Sequence, residues 1–269
     1  MSPDAQPIIT SPQNPRVKAV VRLRKRSVRD ELGLLVVEGC RELTRALDSE
    51  WLPAALYYCP TLSAGTGLVE RAGALGAELL ECSEGVFAKL AYREGSDGLL
   101  AVGPQIRADL EGLQHGTVPL LMAAEAIEKP GNLGTLLRSA DAAGADGVIV
   151  CDGRTDINNP NVVRASLGTL FSVPVVEADS QSTTAWLAGQ GIRIVAATPD
   201  ATMGYTSPDY RGPTCFVVGA EQAGLSSVWL DAADHQVRIP MHGQADSLNV
   251  ATAATLLLYE AVRQRSEVR

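Results

Sequence analysis

The second half of the chain alternates short apolar runs with helical stretches, and this alternation sharply limits the folds open to it. Apolar runs fall at 118–123, 147–151, 173–176, 192–196 and 215–218, with a shorter one at 237–239. Helices are expected between them, near 134–143, 162–170, 183–188, 226–232 and 248–264. Uninterrupted apolar runs of this length read as strands buried on both faces. Alternated with helices, they predict an α/β fold with a mainly parallel sheet. Ligands of such sheets bind beyond the carboxyl ends of the strands, so the loops after the runs are the places to search.

The first half is a weaker version of the same pattern. Strand candidates lie at 34–37, 54–58, 79–80 and 99–102, with helices near 41–47, 68–75 and 86–92. This predicts a smaller α/β domain over 31–103, preceded by a basic arm over 1–30. A polar linker at 104–116 then leads into the main domain, 117–269. A length of 269 residues suits one large domain or two modest ones.

The charge is distributed unevenly. The chain carries −8 overall, yet its first thirty residues hold Arg16, Lys18, Arg22, Arg24, Lys25, Arg26 and Arg29 against Asp4 and Asp30. Such asymmetry reads either as a nucleic-acid-binding arm on an acidic body or as a solvated basic helix face.

Several classes fall away. The longest charge-free run, 51–69, contains Pro53, Pro60, Ser63, Gly65 and Gly67, unlike a membrane-spanning helix. The N-terminus lacks the apolar core of a signal peptide, so a cytoplasmic protein is expected. Five cysteines at scattered spacing suit neither a disulfide framework nor a zinc site. His115, His235 and His242 lack metal-ligand spacing, and no metal is expected. No GxGxxG follows a strand (Gly65-Thr-Gly67 is a lone fragment), and neither GxxxxGK[ST] nor GxSxG occurs.

Three strand-end loops carry the chemistry. The first is Glu125-Ala-Ile-Glu-Lys-Pro-Gly-Asn132-Leu-Gly134, followed by a helix with Arg138. The second is Gly219-Ala-Glu221-Gln-Ala-Gly224-Leu225-Ser226. The third runs from Ile239-Pro-Met241-His-Gly243 to Ser247-Leu248-Asn249-Val250 before a long helix. Each pairs glycines, which let backbone approach a ligand closely, with a few polar side chains.

Together these loops resemble the SPOUT class of RNA methyltransferases, specifically the SpoU/TrmH family of ribose 2′-O-methyltransferases. The match covers about residues 118–264 and includes Asn161-Val-Val-Arg164-Ala-Ser166-Leu-Gly168 and Phe171-Ser-Val-Pro174. More loosely, 9–18 and Val37-Glu-Gly39 resemble the family's substrate-binding extension, similar in fold to a small ribosomal RNA-binding protein. The resemblance implies a deep trefoil knot in the C-terminal domain, a homodimer with its active site near the dimer interface, and S-adenosyl-L-methionine as cofactor.

Carried over by position, it implies Asn132, Arg138, Glu221, Ser247 and Asn249 as catalytic residues. The cofactor would be held by Ala197, Thr198, Val218, Gly219, Glu221, Gly224, Leu225, Ile239, Met241, Ser247 and Leu248. RNA would meet Arg16, Lys18, Arg22, Arg24, Lys25, Arg26 and Arg164. Arg138 is either a general base or a phosphate clamp. Its guanidinium offers five donors and no acceptor, which favours the clamp. Asn132 and Ser247 have a second reading as helix caps. Many relatives carry an acidic residue just before the Pro-Gly-Asn turn, where this chain has Lys129.

The expected function is 2′-O-methylation of structured RNA, with 23S ribosomal RNA favoured over transfer RNA, in a housekeeping or antibiotic self-resistance role. The alternative is a non-catalytic RNA-binding or ribosome-assembly factor on the same fold.

Overall fold

The computed structural model of the chain describes residues 8–63 and 67–266. The start of the expected arm (1–7), the Gly65-Thr66 part of the glycine fragment and the end of the expected main domain (267–269) lie outside the described residues.

The first-half elements are α1 (Pro15–Arg22), α2 (Arg26–Leu32), β1 (Leu34–Glu38), α3 (Cys40–Asp48), β2 (Ala55–Tyr58), α4 (Leu68–Ala74), β3 (Glu78–Glu81), α5 (Glu84–Leu90) and β4 (Leu99–Pro104). Then follow β5 (Leu120–Glu125), α6 (Pro130–Ala142), β6 (Gly147–Cys151), α7 (Pro160–Ala165), a 3-10 turn (Thr169–Phe171), β7 (Val175–Ala178), α8 (Ser180–Gly189) and β8 (Arg193–Ala197). The chain finishes with β9 (Met203–Gly204), β10 (Thr214–Val218), α9 (Ser227–Ala232), β11 (His235–Arg238) and α10 (Val250–Ser266).

These elements pack as two units. Of the described residues, those up to 106 with 158–172 make the first, and 107–157 with those from 173 onward the second. The first has a four-stranded mixed sheet in the order β1-β4-β2-β3, with only β2 and β3 parallel. Where a basic helix on a separate arm was expected, two helices form. Asn14 caps α1 by accepting from the Arg16 N–H, with Pro15 at the first helical position. Val17, Val20, Leu23 and Val28 are buried in one core with Val36, Phe87 and Leu100, so apolar burial fixes this segment to the sheet.

The segment 158–172, expected to belong with the second half, packs in the first unit. Helix 162–170 was expected; α7 stops at Ala165 instead. Gly168 follows at φ +85°, and a Cβ there would press on the Glu42 backbone at 3.0 Å. Arg45 donates to the Leu167 carbonyl at 2.6 Å, and Trp51 packs at a tilt against Phe171 at 5.4 Å between centroids.

The second unit is a seven-stranded, wholly parallel sheet, as expected, in the order β7-β6-β5-β10-β8-β11-β9. The order departs from sequence twice. β10 lies between β5 and β8, and β11 lies between β8 and β9, so late strands occupy gaps flanked by earlier ones. Its strands β5, β6 and β10 are buried along their whole length, which is why they read as unbroken apolar runs. No helix among the described residues is long and apolar enough to cross a membrane.

Candidate active site

The exits of the parallel strands form the site. β5 and β10 are paired in register up to Ala124 and Val218, and each then releases a loop. Helix α6 starts at Pro130 with Lys129 as its cap residue. Asn132 sits in its first turn, half-buried.

The loop after β10 is tightly folded. A Cβ on Gly219 would collide with the Gly224 carbonyl, so only glycine permits the fold-back. Gly224 takes φ +66°, and its N–H donates to the Ala220 carbonyl at 2.9 Å. Glu221 stands exposed on this turn.

Three of the five residues expected at the catalytic centre meet through hydrogen bonds. The Asn132 amide donates to Glu221 Oε1. The Asn249 amide donates to Asn132 Oδ1 at 3.0 Å. Asn249 Oδ1 also accepts from the Ala251 N–H at 3.0 Å, capping α10. The capping role considered for Ser247 therefore falls to Asn249. A single chain, Asn249–Asn132–Glu221, ties the three loops together, although 89 and 117 residues separate its members.

Arg138 and Ser247 stand apart from that chain. Arg138 is exposed, six residues along α6 from Asn132, or about 9 Å along the axis. Among the described residues its side chain has no hydrogen bond or ion pair. Ser247 is exposed and likewise has no hydrogen bond among them. The Ser139 and Thr255 hydroxyls, 2.6 Å apart, join α6 to α10.

The expected cofactor residues also lie at strand exits. Ala197 ends β8 opposite Val237, and the Thr198 N–H donates to the Val237 carbonyl at 3.0 Å. Val218 and Leu225 are buried, whereas Ile239, Met241 and Leu248 are left half-buried. Apolar side chains left part-exposed beside a glycine-shaped backbone loop suit a flat, mostly apolar ring. The residues present therefore fit an adenosine-containing cofactor. Burial pushes the Cys40 thiol up to about 11 and the Cys82 and Cys151 thiols up to about 12, which disfavours their thiolate forms.

Sequence reasoning missed one group. Glu125 was read as the start of a loop, but it is the last residue of β5 and is buried. The signal was a carboxylate ending an unbroken apolar run. Asp152 ends the next strand's turn at φ +49° and accepts from the Ser180 hydroxyl at 2.6 Å.

The residues expected to meet RNA divide. Lys18, Arg22 and Lys25 are exposed, and their side chains have no hydrogen bond or ion pair among the described residues. Arg16 pairs with Glu78 at 2.6 Å and Arg26 with Asp30 at 3.4 Å. Arg24 donates to the Lys89 and Ala91 carbonyls and stacks over Tyr92, so it closes the end of α5. Arg29, counted in the basic cluster, is 1% exposed and donates to the Leu23 and Arg24 carbonyls. Arg164 is half-buried on α7, in the first unit.

A wholly parallel sheet whose strand exits gather two amides and a carboxylate, with an exposed arginine further along α6, fits an α/β enzyme. The chain belongs to the SpoU rRNA methylase family, whose model matches residues 119–259. Residues 14–101 match the MRM3-like substrate binding domain. The 23S rRNA (uridine(2479)-2′-O)-methyltransferase of Streptomyces viridochromogenes is 33% identical over 250 residues, 90% of this chain and 87% of that protein. Among solved structures, an RNA 2′-O ribose methyltransferase superposes with a TM-score of 0.85 at 41% identity, covering 97% of this chain and all of that one. The AdoMet-bound rRNA methyltransferase of Sinorhizobium meliloti gives a TM-score of 0.88 at 32% identity, covering 96% and 97%.

Proposed function

We propose that the protein transfers a methyl group from S-adenosyl-L-methionine to a ribose 2′-hydroxyl of 23S ribosomal RNA. The observation that carries this reading is the Asn249–Asn132–Glu221 chain on three strand-exit loops, with Arg138 left unengaged on the same helix as Asn132. A non-catalytic binding protein has no need to hold these polar groups together at the exits of buried strands.

The chemistry asks for little besides positioning. The bound cofactor supplies an electrophilic methyl on a sulfonium, so no metal is required. The loop 219–225 and the apolar residues Leu225, Ile239, Met241 and Leu248 would hold it, with Ala197, Thr198 and Val218 at the neighbouring strand ends. A ribose hydroxyl would have to lie in line with the methyl, forming its O–C bond as the C–S bond breaks and releasing its proton to solvent. Glu221 fixes Asn132, and Asn249 fixes it from the other side, so this amide is held before substrate arrives. Arg138 would grip the phosphate beside the target ribose with paired N–H donors. Ser247 would meet substrate rather than its own chain.

The free cations Lys18, Arg22 and Lys25 support an electrostatic RNA contact on the substrate-binding domain, with Arg16, Arg26 and Arg164 as lesser contributors. A homodimer is proposed as well, as the family resemblance implies. The insertion of β10 and β11 between earlier strands suits a trefoil knot. An rRNA substrate would place the protein in the cytoplasm.

The test is transfer of labelled methyl from S-adenosyl-L-methionine to deproteinised 23S ribosomal RNA, with bulk transfer RNA in parallel, followed by nucleoside digestion. The expected result is a 2′-O-methylated nucleoside from the ribosomal RNA alone. Cofactor binding without labelling of either RNA would point to an assembled particle or a rarer RNA as substrate, whereas neither labelling nor cofactor binding would favour the assembly-factor reading.

A further inference from the structure

We infer that Glu125 is a positioning residue for the reaction, acting through the loop 219–226 that it anchors. Val218 is in register with Ala124 on β5. The next residue of β5, Glu125, accepts the Ser226 N–H on Oε2 at 2.8 Å. Two consecutive residues of one buried strand therefore set where the loop begins and where it ends. Between those anchors the chain folds back on itself at Gly219 and Gly224, and it carries Glu221, which holds Asn132.

Glu125 is only 6% exposed, so its carboxylate must be satisfied internally. Its other oxygen, Oε1, lies 3.2 Å from the Ser180 hydroxyl oxygen. That hydroxyl donates to Asp152 at 2.6 Å and accepts from the Trp229 indole N–H at 2.8 Å. The anchor at the exit of β5 is thus backed by three elements: the exit of β6, the start of α8 and α9. Ser226 is the cap residue of α9, so the same bond also orients the helix that leaves the loop. A carboxylate in this place holds the loop without touching cofactor or RNA.

The inference rests on reading loop 219–225 as the cofactor cradle. The experiment measures S-adenosyl-L-methionine binding by calorimetry, and KM and kcat on 23S ribosomal RNA, for wild type and variants. Glu125→Ala should weaken cofactor binding about tenfold or more and lower kcat, while KM for RNA stays within about twofold. Glu125→Gln should restore binding to within about threefold, because its amide oxygen can accept from Ser226 and its NH2 can donate to Ser180. Trp229→Phe, which removes one indole bond but leaves the Ser226 anchor, should lower the melting temperature without a matching loss of affinity.

Equal cofactor binding by folded Glu125→Ala and wild type would overturn the inference and leave the proposed function standing. So would a loss in Trp229→Phe as large as that in Glu125→Ala, since general loosening would then explain both. Wild type that fails to bind S-adenosyl-L-methionine would remove the cradle reading itself. Should Glu125→Ala not fold, Glu125→Asp carries the same test: it keeps the charge but shortens the reach by one methylene. Wild-type affinity in that variant would overturn the anchor.

Discussion

The two units use arginine in the same two ways, and the contrast within each shows how structure divides labour among identical side chains. In the first unit Arg29 is buried and binds two backbone carbonyls, while Arg22 and Lys18 stand free on α1. In the second unit Arg265 binds the Val118, Pro119, Tyr210 and Gly212 carbonyls, while Arg138 stands free on α6. A guanidinium that fills its donors with backbone is a brace. One that leaves five donors to solvent is available to a phosphate. Burial makes the difference visible for Arg265, whose guanidinium is held below its usual range by desolvation.

This contrast can be broken most directly at Arg138. Arg138→Ala should lower turnover on 23S ribosomal RNA by about a hundredfold or more, in the range of lost transition-state donors. Its thermal melting should match wild type, because the side chain has no partner among the described residues to lose. A variant with normal turnover would end the division between free and bracing arginines.

Arg265→Ala should do the opposite. It leaves four carbonyls without their shared donor, and a loss of about 2–4 kcal/mol is expected in denaturant unfolding. Arg29→Ala should behave alike in the first unit, at about 2–3 kcal/mol. Any specific loss of cofactor affinity beyond the stability effect in either variant would blur the contrast.

Gly219→Ala sharpens the comparison between loop and brace. The added Cβ meets the Gly224 backbone rather than a flexible side chain, so the loop must open. Cofactor affinity should fall about tenfold, with a stability loss of only about 1–2 kcal/mol. The smallest effect belongs to the basic helices. Replacing Lys18, Arg22 and Lys25 together by Gln should reduce the salt slope of RNA binding by about 2–3 while leaving S-adenosyl-L-methionine binding intact. Arg24→Gln should cost stability instead, because Arg24 already serves the Lys89 and Ala91 carbonyls.

Much of this was legible from residues alone, though unevenly. The unbroken apolar run before Glu125 pointed to a strand buried on both faces, and β5 is one. Asn132, Glu221 and Asn249 were picked out by their loops and do meet. Glu125 itself was hidden, because a carboxylate after an apolar run looks like the start of a loop until a buried N–H is found for it. Arg24 and Arg29 were indistinguishable from their neighbours, since a basic run looks the same whether a side chain faces water or carbonyls. The segment 158–172 was grouped with its neighbours in sequence, but Gly168 lets it press against α3, so it packs with the first unit.

The sequence by itself determined the local periodicities: which runs are buried strands, which stretches are helices, and which loops carry glycine beside polar groups. These follow from short-range sterics and from matching an apolar face to a core. Only the tertiary structure decided the strand order, with β10 between β5 and β8, and with it which loops become neighbours. It also decided which charges are spent inside the fold and which stay free. Both depend on which side chains and strands meet in three dimensions, at separations from a few residues to more than a hundred, and periodicity carries no information about such contacts.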